Sequence, residues 1–413
     1  MTYEESVKYL YKIAGFAKKS SLDHIKYFLE QLGNPQNDLN FVHVAGTNGK
    51  GSVCAFLEAI LKEHGKTTAS FTSPHLVRVN ERIKVNGEEV SDQEFSNACV
   101  KVRNSIEEAQ KQGIESPSFF ECLFLMALLV FQECKPDICI IETGMGGRYD
   151  ATNVIIPKVS VITSISMDHM EFLGSTLEEI ASHKAGIIKT GIPVVTMAQE
   201  ESVTKIIKEE AEMKMSPIYD VSEDNLKFKQ NALKYIDFLN VNAYDKRRDV
   251  RTNIAGDFQV DNFSVALKSA AIICQQLDAD KIYNALTKIK IPGRMEEIAP
   301  GIIIDVSHNI QGMEGFVKTV EANFHGKKRI LFAASHKNEE EYMKDILKQI
   351  QGIEVFYTVA INNRRIKEEE FQNAFRQMIE ERENDTTCFV VGSFYLAGMA
   401  KDFINQEEND VKL

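Results

Sequence analysis

The stretch His43–Val53, HVAGTNGKGSV, constrains this chain more than any other. An apolar, β-branched run (Phe41 to Ala45) leads into closely spaced glycines and a lysine. From Ser52, the residues Val53, Phe56, Leu57, Ile60 and Leu61 then recur at helical spacing until Gly65. That order predicts a strand, a glycine turn and a helix. Unpaired amides and the positive end of the helix dipole would face one point, and glycines would let an anion approach the backbone. The common phosphate-loop pattern G-x-x-x-x-G-K-[ST] is nevertheless broken. Gly46 stands three residues before Gly49, and Gly51 separates Lys50 from Ser52. The alternative is a tight turn that happens to hold a lysine.

The same alternation continues along the chain. TTASFTS, DICIIE (Asp137 to Glu142), VSVITSI (Val159 to Ile165) and IPVVTMA (Ile192 to Ala198) are short apolar runs separated by helical stretches. They predict a mostly parallel sheet covered on both faces. Pro292, Gly293, Pro300 and Gly301 punctuate a connector, beyond which IIIDVSH, RILFAAS, EVFYTVA and TCFVVGS predict more strands. A chain of 413 residues exceeds one comfortable core. The expected fold class is therefore α/β, with two parts. Residues 1–296 form an N-terminal P-loop-type, mostly parallel sheet domain, and residues 297–413 a smaller C-terminal Rossmann-like α/β domain.

Composition excludes several classes. The longest apolar run, Cys122 to Phe131, falls short of the roughly 20 residues that cross a bilayer. The acidic, amphipathic start MTYEESVKYL is not a signal peptide. Seven cysteines without a C-x-x-C pair argue against a disulfide framework or zinc site and for a reducing, cytoplasmic setting. A net charge of −12 repels nucleic acid but not a small anion held by a few local cations. With no long heptad pattern, a monomer is expected.

Chemistry-bearing residues follow the predicted strands. Ser73 trails one, Glu142 ends another, and SMDHMEFLG sets Asp168 and His169 after a third. In an open α/β sheet, ligands bind beyond the carboxyl ends of the strands. A hydroxyl, a carboxylate and an imidazole gathered there beside a triphosphate suit Mg²⁺, which takes few protein ligands. Singly, each has a plain alternative: Ser73 capping a turn before Pro74, Glu142 pairing with Arg148, His169 packed in the core.

HVAGTNGKGS, SPHLVRVNERIKVNG, ETGMGGRYDATN, MDHMEFLG, HKAGIIK and PGRMEE occur in that order, with SLDHIKYFLEQLGNPQ before them and GSFYLAG after. Together they resemble the folylpolyglutamate synthase/dihydrofolate synthase family of the Mur ligase superfamily, from about residue 20 to 398. The family's loop has the same G-T-N-G-K-G-[ST] form, so Gly51 is its norm. The resemblance implies an ATP-binding ligase domain of the Mur central type over residues 1–296. It implies nucleotide contacts at Thr47, Asn48, Gly49, Lys50, Gly51, Ser52, Asn262, Arg294 and Asp305. Ser73, Glu142, His169 and Lys184 match ligands of two Mg²⁺ ions, with Lys184 carried as a carbamate. An unmodified Lys184 touching phosphate is the alternative. Arg82, Phe120, Glu121, Asp150 and Asn153 match the neighbourhood of the pterin-type substrate.

The implied activity is glutamate addition to a folate γ-carboxylate through an acyl phosphate made with ATP. Dihydropteroate is the alternative acceptor. Each stage gathers negative charge, so Lys50, Mg²⁺ and Arg294 would carry most of the catalysis, and His308 would accept a proton. A nucleotide-binding regulator without ligase chemistry and a P-loop kinase remain as other classes. Two departures stand out. DVSHNIQG replaces the family's D-G-A-H-N-P-x-G at Val306, Ser307 and Ile310, and Phe258 stands where a histidine is usual.

Overall fold

The computed structural model describes all residues except 14–20, 225–226, 231–235, 244–245, 253, 335–338, 363–364, 381, 384 and 411–413. The larger sheet takes its strands in chain order as β1 (Phe41–Ala45), β2 (Thr68–Phe71), β3 (Ile83–Val85), β4 (Glu88–Glu89), β5 (Ile138–Glu142), β6 (Pro157–Ile162), β7 (Val194–Thr196) and β8 (Ile218–Asp220). Their spatial order is β4-β3-β2-β5-β1-β6-β7-β8. At one edge β3 runs antiparallel to both β2 and β4, and the remaining neighbours are parallel. Strand β1 coincides with the run expected from its β-branched residues, and the following helix, Lys50–Glu63, starts at the lysine.

Both faces of this sheet are covered, as near-continuous apolar strands require. Val42, Val44, Ile140 and Val161 pack under helices Lys50–Glu63, Phe258–Cys274 and Ala279–Lys288. Phe41, Phe71, Cys139 and Ile141 pack under helices Asp92–Lys111 and Phe119–Cys134. The apolar run Cys122 to Phe131 lies in the last of these and is wholly buried. Each fully buried Phe or Leu there contributes roughly 1.5–3 kcal/mol, which fixes the helix against the sheet. Among the described residues, no helix is long and apolar enough to cross a membrane.

Strands β9 (Lys227–Gln230), β10 (Ile236–Ala243) and β11 (Lys246–Arg251) form a separate antiparallel sheet that the sequence reading did not anticipate. Their charged and polar composition hides the usual strand signal. A second main sheet combines β12 (Glu296–Ala299), β13 (Ile302–Asp305), β14 (Lys328–Phe332) and β15 (Ile353–Thr358) with the last strand. A two-residue pair, β16 (Ile361–Asn362) and β17 (Arg365–Ile366), precedes that strand, β18 (Thr387–Val391). The order is β12-β13-β18-β14-β15, with β12 antiparallel. The four strands expected after the connector are all present; Ser335, the end of RILFAAS, lies outside the described residues. The fold is thus a large, mostly parallel sheet and a smaller Rossmann-like α/β sheet.

Candidate active site

Strand order β2-β5-β1-β6 decides what meets at the carboxyl edge of the larger sheet. Ser73, Glu142, the glycine loop and the 163–169 segment emerge side by side from these four neighbours. They line a cleft of about 690 Å³, and Arg294 and His308 line it too, from the side of the second sheet.

The loop is held from below. Thr47 N donates to Ser164 O at 2.7 Å, its hydroxyl donates to Ser166 O at 3.1 Å, and Asn48 O accepts from Thr163 Oγ1 at 2.7 Å. Gly46 (φ +152°) and Gly49 (φ +87°) need glycine. A Cβ at Gly46 would lie 1.8 Å from Thr163 Oγ1, and one at Gly49 2.2 Å from Asn262 Oδ1. Helix Lys50–Glu63 has no side-chain cap, so its first amides are open to an anion. Lys50 Nζ donates to Gly46 O at 3.1 Å and Thr47 O at 3.0 Å, and Lys184 Nζ donates to Gly46 O at 2.7 Å.

The negative members line the same cleft. Glu142 Oε2 accepts from Ser73 N at 3.0 Å, which disposes of a pairing with Arg148. Arg148 instead donates to Glu210 at 2.8 Å. Burial pushes the Glu142 carboxyl up, against the pull of Lys50, the Ser73 amide, Arg294 and Arg82. His169 has a left-handed backbone (φ +49°), and its amide donates to Asp168 Oδ1 at 2.8 Å. Burial opposes ionisation of Asp168, but His169, His308, Lys50 and Lys184 outweigh it and hold the carboxyl below its usual range. Among the described residues no three His, Cys, Asp or Glu side chains form a metal cluster. A buried carboxylate beside a hydroxyl and an imidazole still fits Mg²⁺, whose shell is completed by water and phosphate oxygens.

Burial, and secondarily Lys50, lowers the Lys184 amine to about 7. Between that value and its ordinary 10.5, the unfolded chain holds a proton that the folded chain lacks, so this group makes stability rise with pH. The unfolding free energy of the wild-type chain should rise relative to Lys184→Met by on the order of 4 kcal/mol from pH 7 to pH 10. Denaturant titrations across that range measure it, and a flat difference would show that the amine is not desolvated.

Facing the loop, His308 Nδ1 lies 2.9 Å from Val306 O, an acceptor, so Nδ1 carries the hydrogen and Nε2 offers a lone pair. Burial lowers its pKa to about 4, leaving a neutral proton acceptor. Phe394 flanks both His308 (5.4 Å between rings) and the Arg294 guanidinium (5.9 Å). The departures in DVSHNIQG each have a place. Val306 is buried in the second core, Ser307 Oγ donates to Asp305 Oδ1 at 2.6 Å, and Ile310 begins its helix with an exposed side chain. Phe258 rests its ring beside Gly256 and Gly315.

Elsewhere in the cleft, Arg82 is half-buried over the Phe119 ring at 5.3 Å, donates to His75 Nδ1 at 2.8 Å, and is lowered to about 10 by burial. Phe120 crowds Gly144, where a Cβ would meet the ring at 2.7 Å. Glu121 accepts from Ser118 N at 2.7 Å to start its helix, yet lines the cleft with Asp150.

Fifteen of the expected residues line the cleft: Thr47, Gly49, Lys50, Gly51, Ser52, Ser73, Arg82, Phe120, Glu121, Glu142, Asp150, His169, Lys184, Arg294 and His308. Asn48, Asn153, Asn262 and Asp305 do not. Asp305 has both oxygens occupied, by Ser307 and by Met295 N at 2.9 Å. Asn153 donates to Arg148 O and Gly186 O, and Asn262 packs on Gly49. Asn48 bonds Gln311 Oε1 at 2.7 Å and Asn309 at 3.2 Å, tying the loop to the second sheet's first helix. The sequence reading missed Glu81, whose carboxylate accepts from the amides of Leu76, Val77 and Arg78 at 2.7 Å each. Three consecutive backbone amides give no side-chain signal.

Residues 44–270 match the Mur ligase middle domain family. The dihydrofolate synthase/folylpolyglutamate synthase of Bacillus subtilis (strain 168) is 34% identical over 359 residues, 85% of this chain and 83% of that protein. The folylpolyglutamate synthase of Lacticaseibacillus casei is 33% identical over 332 residues, 78% of each chain. A solved complex of FPGS with AMPPCP and folate superposes with a TM-score of 0.88 at 31% identity, covering 98% of this chain and 100% of that one. With the ordered motifs and the two-sheet cleft, these likenesses place the chain in the folylpolyglutamate synthase/dihydrofolate synthase family of ATP-dependent Mur ligases.

Proposed function

We propose that the chain joins the amine of L-glutamate to the γ-carboxylate of a folate glutamyl tail, using ATP to form an acyl phosphate. The observation that carries this reading is one cleft lined together by Lys50, Lys184, Glu142, Arg294 and His308. The solved relative that holds AMPPCP together with folate supports it.

A carboxylate has no leaving group, so it must first be phosphorylated. The open amides of helix Lys50–Glu63 and the Lys50 ammonium bind the phosphates and oppose the charge that gathers during transfer. Ser73, Glu142 and His169, with Lys184, would hold Mg²⁺, two ions on the family pattern. The metal's chemistry would be to neutralise phosphate oxygens and orient them. Lys184, its amine lowered to about 7, is partly in the neutral form that adds CO₂ at neutral pH, and as a carbamate it would give an anionic oxygen ligand. Arg294 stabilises the tetrahedral intermediate, and His308 Nε2 takes the proton of the attacking amine. Residues 1–296 act as the nucleotide-binding ligase domain and 297–413 as the part that closes on it, excluding water that would hydrolyse the acyl phosphate. The free cysteines suit the reducing conditions of a cytoplasm.

Dihydropteroate is a second acceptor to test, because the Bacillus subtilis relative carries both activities in its name. Purified chain is given ATP, Mg²⁺ and L-glutamate with tetrahydrofolate or dihydropteroate in turn. ADP release should require both acceptor and glutamate and fall to background with excess EDTA. Release without glutamate would instead indicate a kinase or ATPase, and tight nucleotide binding without turnover a regulator.

A further inference from the structure

His43 lies in the middle of the larger sheet, in register with Ile141 of β5 and Ser160 of β6, and is fully buried. Burial lowers its pKa to about 3, so the imidazole is neutral. Its Nε2 sits 2.8 Å from Thr152 Oγ1. The Thr152 hydroxyl donates to Asp150 Oδ1, so its oxygen accepts and His43 Nε2 carries the hydrogen. The other ring nitrogen, Nδ1, is buried without a partner.

That orphan lone pair is a cost which an apolar side chain would avoid. Phe41 and Ala45, which share its face of the strand, are apolar and buried, so the strand itself asks for nothing polar there. The imidazole instead fixes the Thr152 hydroxyl, and the rest of the network leads to the cleft. Asp150 Oδ1 also accepts from Thr152 N at 3.0 Å, and Oδ2 accepts from Met145 N at 2.9 Å. Asp150, Gly144 and Met145 all line the cleft.

We propose that His43 is a positioning residue for acceptor binding: through Thr152 it holds the Asp150 carboxylate, and with it the Gly144–Met145 wall, in the orientation that receives the acceptor ring. The role rests on the reading of Asp150 as an acceptor contact. It goes beyond that reading by making a residue of the central strand set acceptor affinity.

Steady-state kinetics of the full chain, with AMPPCP binding measured by calorimetry, test it. In His43→Leu and Thr152→Val, the KM for the acceptor should rise about fivefold or more, while the ATP KM and AMPPCP affinity stay within about twofold. His43→Gln, which keeps an N–H near the Nε2 position, should recover most of the loss. Asp150→Asn should raise the acceptor KM alone, with His43→Leu adding little to it. An unchanged acceptor KM in a folded variant, an equal rise for ATP and acceptor, or full additivity with Asp150→Asn overturns the proposal. Should His43→Leu fail to fold, Thr152→Val and His43→Gln make the same comparison. If Asp150→Asn leaves the acceptor KM untouched, the placement of the acceptor is wrong. If Asp150→Asn raises it and the His43 and Thr152 variants do not, only the role of His43 falls.

Discussion

Lys50→Ala should lower the rate of ATP-dependent ligation by about a thousandfold while leaving the thermal midpoint within a few degrees of wild type. Lys50 opens the helix Lys50–Glu63 and lines the cleft, and its ammonium caps two carbonyls of its own loop, Gly46 O and Thr47 O. Alanine is an excellent helix former, so the helix keeps its start. What disappears is the one cation carried by the phosphate loop itself. Lys184 shares the Gly46 carbonyl, but its amine, lowered to about 7, is a poor substitute for a fixed positive charge. ADP release with saturating acceptor and glutamate measures the effect, and a wild-type rate would remove Lys50 from the mechanism.

Gly46→Ala should be the most destabilising single substitution in the loop, by about 3 kcal/mol or more in denaturant unfolding. Its φ of +152° is rarely open to a side chain, and the added Cβ would sit 1.8 Å from Thr163 Oγ1. Thr163 cannot retreat cheaply, because its hydroxyl bonds Asn48 O at 2.7 Å and its amide bonds Ala45 O at 2.8 Å. Gly51→Ala is the contrast. Its Cβ would meet nothing nearer than Glu142 Oε2 at 3.9 Å, and the residue is already helical. The unfolding free energy there should stay within about 1 kcal/mol of wild type. If the two substitutions cost the same, the close approach of loop and β6 segment is not what demands glycine at position 46.

These two glycines mark how far the sequence carries. Gly51 is the residue that breaks the common phosphate-loop pattern, and it proves to be the most permissive glycine of the three, whereas Gly46 and Gly49 are forced by neighbours more than a hundred residues away. Ser73, Glu142 and His169 were legible because each ends or follows an apolar run, and a parallel sheet must deliver such residues to one edge. Arg294 and His308 were legible only through the family motifs, since no local pattern brings a second sheet against the first. Asp305 was named through the family motifs as well. The structure sets it outside the cleft lining, with Ser307 and Met295 N bonded to its two oxygens.

By itself the sequence determined the apolar strands of the two main sheets, the loop and the residue types at the strand ends, but not the polar strands β9–β11. Periodicity and glycine placement are local properties, and local sterics and burial act on them directly. Tertiary structure alone decided which ends are neighbours, how His43 reaches Asp150 through Thr152, and why Asn48 clasps Gln311 instead of lining the cleft. Those outcomes depend on strand order and on the packing of one sheet's edge against another. Both are set by contacts between segments far apart in the chain, where no short stretch carries the signal.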